Sequence, residues 1–318
     1  MITYAIRRLL LAVLTILFVT LVVFFMMRSL PGDPLLMVVS RDQYSTRTTE
    51  ELELLRHEYG LDKPVLTQYV FWISGLFHGD FGKSTYYTDP VNKLISRRLP
   101  VTLYLGLLAF IIANLIGILA GTISALKRGG KVDVLITVLS NIGITMPIFW
   151  LGIMLIYVFG FKLGWLPTNG YTSPFVNFWL SIKQMMMPVA CESVFAIGAI
   201  TRQTRSSMLE VKQQDYIRTA WAKGLGERVV VMKHLLKNGL IPIVTLSGMQ
   251  LGAIIGGAVL VETVFNIPGM GRLSVDAVRA LDYTVVEAVV LIIAIIVTLV
   301  NLAVDISYGW LDPRIRYS

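Results

Sequence analysis

Six runs of this sequence, residues 9–27, 99–126, 134–161, 184–201, 238–261 and 285–304, are apolar and almost free of charge. A helix crosses the hydrocarbon of a bilayer with about 20 such residues. The chain is therefore read as an all-α, polytopic membrane protein with six transmembrane helices. Its composition agrees: 55% of residues are hydrophobic and only 15% charged, against about 25% charged in average soluble domains. The first run follows Arg7 and Arg8, is longer than the roughly 7–15-residue apolar core of a signal peptide, and lacks a small-residue cleavage site, which predicts an uncleaved helix. Pro147 inside the third run predicts a kink. The fifth run holds Gly248, Gly252, Ala253, Gly256, Gly257 and Ala258, small residues that let helix backbones approach closely.

Six spans put both termini on one side, and charge selects the side. Arg7 and Arg8 precede the first span, and Lys127, Arg128 and Lys131 fill the 2–3 connection. Arg202, Arg205, Lys212, Arg218, Lys223, Arg228, Lys233 and Lys237 crowd the 4–5 connection, and Arg314 and Arg316 follow the sixth span. The short opposite connections carry only Lys162 and Lys183, then Arg272 and Arg279. Both termini are thus expected in the cytoplasm. The same rule explains the net charge of +8 without nucleic acid. The single Cys191 excludes an internal disulfide, and His57, His78 and His234 are too far apart for metal-ligand spacing. No catalytic, cofactor or metal cluster is visible.

The stretch HGDFGKST at 78–85 looks like the end of a phosphate-binding loop, with Lys83 and Ser84 in place. Such a loop requires Gly, four residues, then Gly-Lys-Ser/Thr, and counting back from Gly82 gives Phe77. No strand precedes it, no long apolar-faced helix is expected after it, and the predicted topology places it outside the cell. It is read as a turn built on Gly79, Asp80 and Gly82. Residues 29–98 around it are expected to form a folded external cap. Thr48 and Glu51 make a capping-box pair, Leu52, Leu55 and Tyr59 an apolar stripe, and Gly60 a stop. Pro64 then opens a second helix, with Val65, Tyr69, Trp72, Ile73 and Leu76 suited to a membrane interface.

In the basic 4–5 connection, a helix is predicted from about Asp215 to Lys223, broken at Gly224 and Gly226, with a second starting near Glu227. A short basic amphipathic helix of this kind either rests on the inner leaflet or docks in a groove of another protein. The segment YIRTAWAKGLGERVVVMKHLLKNGLIP resembles the cytoplasmic coupling motif of ATP-binding-cassette importer permeases of the dipeptide, oligopeptide and nickel group. LPGDP at 30–34, GLDKP at 60–64, GDFGKS at 79–84, MPIFWLG at 146–152, LGWLPTNGY at 163–171, VETVFNIPGMGR at 261–272 and the ending VNLAVDISYGWLDPRIR resemble the same group, in order. The long 1–2 segment is similar to its B-type subunit.

The resemblance implies a type I importer permease fold: helix 1 over 1–28, an external segment over 29–98, and a five-helix core over 99–318 containing the coupling segment 202–237. It implies a C-type permease partner, two ATPase subunits that bind ATP and magnesium, and an extracytoplasmic binding protein. It implies a place in a bacterial inner or plasma membrane, and no cofactor or enzymatic activity in this chain. Carried over by position, Asp215, Tyr216, Arg218, Thr219, Ala220, Ala222 and Gly224 would form the coupling helix, and His234, Asn238 and Pro242 its return into span 5. Trp221, Lys237, Gly239 and Ile267 depart from the group's usual residues. Glu192, read as the one acid well inside a span, is either a pathway residue meeting a cationic group of the substrate or a hydrogen-bonded or protonated carboxyl at a helix interface. Gln250 and Met249 are further expected pathway residues. Peptide is the expected substrate, with a nickel or other metal chelate or glutathione as alternatives. An ion-coupled secondary transporter would need several buried acids or paired broken helices.

Overall fold

The computed structural model describes residues 2–29, 33, 35, 39 and 41–311. Most of LPGDP at 30–34 and the chain end with Arg314 and Arg316 lie outside them. Among the described residues every regular element is a helix. α1 is Ile2–Arg28, and the external segment contains α2 (Arg41–Thr46), α3 (Thr49–Glu58) and α4 (Val65–Phe77). The core follows as α5 (Val91–Leu126), α6 (Lys131–Thr145), α7 (Ile148–Leu155, continued as a π-helix to Lys162) and α8 (Phe178–Lys212). Next come α9 (Asp215–Ala222), α10 (Glu227–Val229), a π-helical stretch (Val230–Leu235), α11 (Leu236–Gly239), α12 (Ile241–Val264), α13 (Met270–Ala280) and α14 (Tyr283–Leu311).

Five helices are long and apolar enough to cross a membrane, and the pair α6–α7 makes a sixth span if taken as one. That pair departs from the expected kink: the two arms meet at 106°. The cause is local. A proline pushes its predecessor out of the helical region and lacks an N–H itself. Met146 is extended at ψ 127, Pro147 is extended at ψ 127 as well, and two consecutive extended residues end one helix and start another.

α5 and α8 form the centre of the bundle, with α12 against both. Their close approach uses small residues; an added Cβ on Gly121 would come within 2.6 Å of the Thr201 carbonyl. The central cluster unites Leu105, Ala109, Ala113, Met185, Met187, Ile200, Ile254 and Phe265. Of the methionine triplet, Met185 and Met187 are thus plain core, while Met186 is exposed. α1 lies outside this bundle against α14. Arg8 near its start pairs with Asp305 near the end of α14, at 2.9 Å.

The external segment follows the predicted pattern at α3 and α4. The Thr48–Glu51 capping box is present in both directions. Tyr59, however, is exposed and adds nothing to a stripe. Tyr69 and Trp72 of α4 pack on Phe24 of α1, and Tyr69 Oη shares a 2.8 Å hydrogen bond with Thr20. The segment is therefore fastened to the first span. The expectation that no long helix follows GKST is overturned: α5 starts at Val91. Ser84 bonds Asp282, the Tyr87 N–H donates to Ser84 Oγ at 2.7 Å, and Lys83 bridges Pro90. The stretch is a clasp between the cap and the start of α14.

Candidate functional site

α8 runs well past its predicted end, so Arg202, Arg205 and Lys212 lie on a helix and not in a free loop. Arg205 is consumed locally. It donates to both oxygens of the buried Asp133, at 2.7 and 2.9 Å, while Ser124 and the Gly129 N–H bond the same carboxylate. This node ties the end of α5, the start of α6 and α8 into one rigid end.

α9 sits on that end. Gln214 is extended and opens it, Asp215 occupies the first turn, where the helix dipole favours an anion, and Gly224 follows its end at φ +75. Ile217 and Ala220, one turn apart, face inward and pack with Ala125, Met208, Val230 and Leu235. The other face is bare: Tyr216, Arg218, Thr219, Trp221 and Ala222 are exposed. Ala220 thus belongs to the seat of the helix and not to its free face. Gly224 is exposed as well, and a Cβ added there would touch nothing within 4 Å.

The return is fixed by polar contacts. Asn238 Nδ2 donates to Tyr216 Oη at 3.1 Å and to the His234 carbonyl at 3.0 Å. Ser207 Oγ of α8 donates to the Gly239 carbonyl at 2.8 Å, and Gly239 lies directly against Met208. Pro242 opens α12, where its missing N–H costs nothing. The structure thus brings Tyr216, His234 and Asn238 together. Trp221 and Lys237 are exposed, and Ile267 is fully buried in the core.

The opposite end has two acid nodes. Glu262 accepts from Thr102 Oγ1 at 2.5 Å and from the Arg272 N–H at 3.0 Å, while Thr102 Oγ1 accepts the Met270 N–H at 2.7 Å. A carboxylate and a hydroxyl together satisfy the open N-terminus of α13. Asp282 does the same for α14, accepting from Val285 and from the Tyr86 N–H. Sequence reasoning missed α13, Glu262, Asp282 and Asp133. The one available signal was the acid in VETVFNIPGMGR, placed just before a Gly-rich helix start.

The expected pathway residues differ in exposure. Glu192 is 5% exposed, packs toward Gly257 of α12, and its Oε2 has no hydrogen-bond partner. Met249 is exposed and Gln250 half-buried. Two more acids are buried nearer the span ends, Glu262 in the last turn of α12 and Glu287 in the second turn of α14. Among the described residues no group of His, Cys, Asp and Glu could hold a metal ion.

Comparison with known proteins supplies the frame. The sequence profile described as "Binding-protein-dependent transport system inner membrane component" matches residues 113–317, and the profile of that system's membrane component N-terminal part matches residues 1–106. A putative peptide transport system permease protein of Brucella abortus (strain 2308) is 39% identical, over 96% of each chain. The oligopeptide transport system permease protein AppB of Bacillus subtilis is 39% identical over the full length of both. The dipeptide transport system permease protein DppB of Alkalihalophilus pseudofirmus is 38% identical, again over both full lengths. An inward-facing structure of the MetNI methionine ABC transporter shares the fold, with TM-score 0.58, 20% identity, 69% of this chain covered and 96% of that one.

Proposed function

Since the chain belongs to the family of binding-protein-dependent transport system inner membrane components, we propose that it is one half of the membrane pathway of an ATP-driven peptide importer. In this reading a C-type permease supplies the other half, one of two ATPase subunits grips α9 from the cytoplasm, and an extracytoplasmic binding protein delivers the peptide. Both termini are then cytoplasmic. The peptide assignment leans on relatives named as peptide permeases.

The observation that carries the coupling role is the two-faced α9. One face is locked by Ile217 and Ala220 into the core, and the other presents Tyr216, Arg218, Thr219, Trp221 and Ala222 outward. A helix fixed so firmly moves as a body with whatever grips it. Switching a two-state gate from 1:99 to 99:1 takes about 5.5 kcal/mol of differential binding, and only a rigid seat transmits that to the spans. ATP acts through its different affinity for the two states, so this chain needs no catalytic residue.

Gly224→Leu tests the reading. Nothing within the chain opposes the new side chain except the left-handed backbone, which costs of order 1 kcal/mol, so the protein still inserts. Uptake of a labelled peptide into proteoliposomes holding both permeases, both ATPases and the binding protein should fall more than tenfold (about 1.4 kcal/mol of lost coupling) while ATP hydrolysis persists. Undiminished uptake would refute the lever.

A further inference from the structure

A cavity of about 530 Å³ opens at the end of the molecule away from α9, between the external segment and the core. Arg28, the last residue of α1, lines it together with Lys63 before α4, Phe71 and Trp72 of α4, and Glu287 in the second turn of α14. Its volume lies within the roughly 300–1,000 Å³ of small-molecule sites. Its depth is that of lipid headgroups, because the apolar run of α1 ends at Arg28 and that of α14 begins beside Glu287.

The walls carry both signs of charge, Arg28 and Lys63 together with Glu58, Asp80 and Glu287. Glu287 is only 8% exposed, and its Oε1 has no hydrogen-bond partner. The Arg28 guanidinium is fixed in place, 3.6 Å above the Phe24 ring and with Nε donating to Gln68 at 3.1 Å. Lys63 Nζ lies 4.7 Å from the centre of the Phe71 ring. A buried carboxylate oxygen requires an N–H or O–H donor, and none among the described residues supplies it. Arg28 and Lys63 offer two cations to an anionic group, the carboxylates on the same cavity suit a cationic one, and the aromatic walls accept apolar or cationic matter.

The geometry points to a binding site for a zwitterion with a primary ammonium group, its N–H donors on Glu287 and its phosphate or carboxylate toward Arg28 and Lys63. Two sources share this chemistry: the headgroup of an ethanolamine phospholipid, and a free amino acid or short peptide from the medium. The proposal is independent of the peptide assignment above.

Native mass spectrometry of the full chain decides it. With acyl chains matched, dioleoyl phosphatidylethanolamine should be retained about tenfold over dioleoyl phosphatidylcholine, whose quaternary ammonium has no N–H to give, and Glu287→Gln should abolish the difference. That result assigns a lipid. If alanyl-alanine binds instead, is lost on N-acetylation of the dipeptide and is lost in Glu287→Gln, the ligand is the soluble zwitterion. Should Glu287→Gln not fold, Lys63→Met at the exposed rim takes its place, with a loss of several-fold expected. Binding that ignores primary against quaternary ammonium and free against acetylated dipeptide overturns the site, as does a preference that survives the variants.

Discussion

Single carboxylates do most of the fastening outside the apolar core, and each has a measurable consequence. Removing Glu262 leaves the Arg272 N–H and Thr102 without an acceptor, so Glu262→Ala should lower stability by about 1–3 kcal/mol, with Glu262→Gln milder because one oxygen remains; thermal unfolding in detergent measures both. Gly269→Ala should be at least as damaging, because its Cβ would meet the Glu262 carboxylate at 2.1 Å. Asp33 in the external segment is tuned differently. Burial pushes its carboxyl up, but the Leu35 N–H, Arg56 and Tyr44 together outweigh burial and hold it below 3.8. A carboxyl depressed on folding stabilises above the unfolded value and loses that contribution as pH falls through the lower folded one. Limited proteolysis of the external segment should therefore accelerate below about pH 4, and Asp33→Asn should remove that pH dependence. These residues were barely legible in the sequence. An acid reads as a helix cap only when the helix it caps is recognised, and α13 was hidden in what looked like loop.

At the scale of elements, the sequence was a good guide wherever one period ruled. The spans, the capping box of α3 and the amphipathic α9 followed from local spacing. What it could not show was partnership at a distance. Arg205 read as one of many basic loop residues, yet it lies on α8 and clamps Asp133, 72 positions away. Arg205→Ala should cost near the low end of the about 3–5 kcal/mol known for broken buried pairs, since Arg205 keeps 32% of its side chain exposed. The loss should appear in thermal unfolding, and a smaller one in Arg205→Lys, which keeps the charge but not the two-pronged geometry. The seat of α9 was half legible in the same sense: the helix and its glycine stop could be read from local spacing, whereas the Tyr216–Asn238 contact and the inward turn of Ala220 over Met208 and Ala125 could not.

Across the whole molecule, the two ends are held by different chemistry. The end bearing α9 is closed by an arginine–carboxylate clamp among many cations, and the other by carboxylates receiving backbone N–H groups. Fold class and span number were legible because bilayer thickness leaves few choices, but the elbow at Met146–Pro147 was read as a mere kink, since a proline in a sequence states that a helix is interrupted and not by how much. The elbow has one further effect. α6 has 15 residues, a rise of about 22 Å, and hydrocarbon is about 30 Å deep. With its second arm swung aside by 106°, this wall of the protein is too short for its surroundings. The lipid sheet must pinch inward there, or a neighbouring subunit must take its place. Isolated chain should accordingly melt higher in bilayers of 14-carbon than of 18-carbon acyl chains, and assembly with a partner should erase that taste for thin membranes.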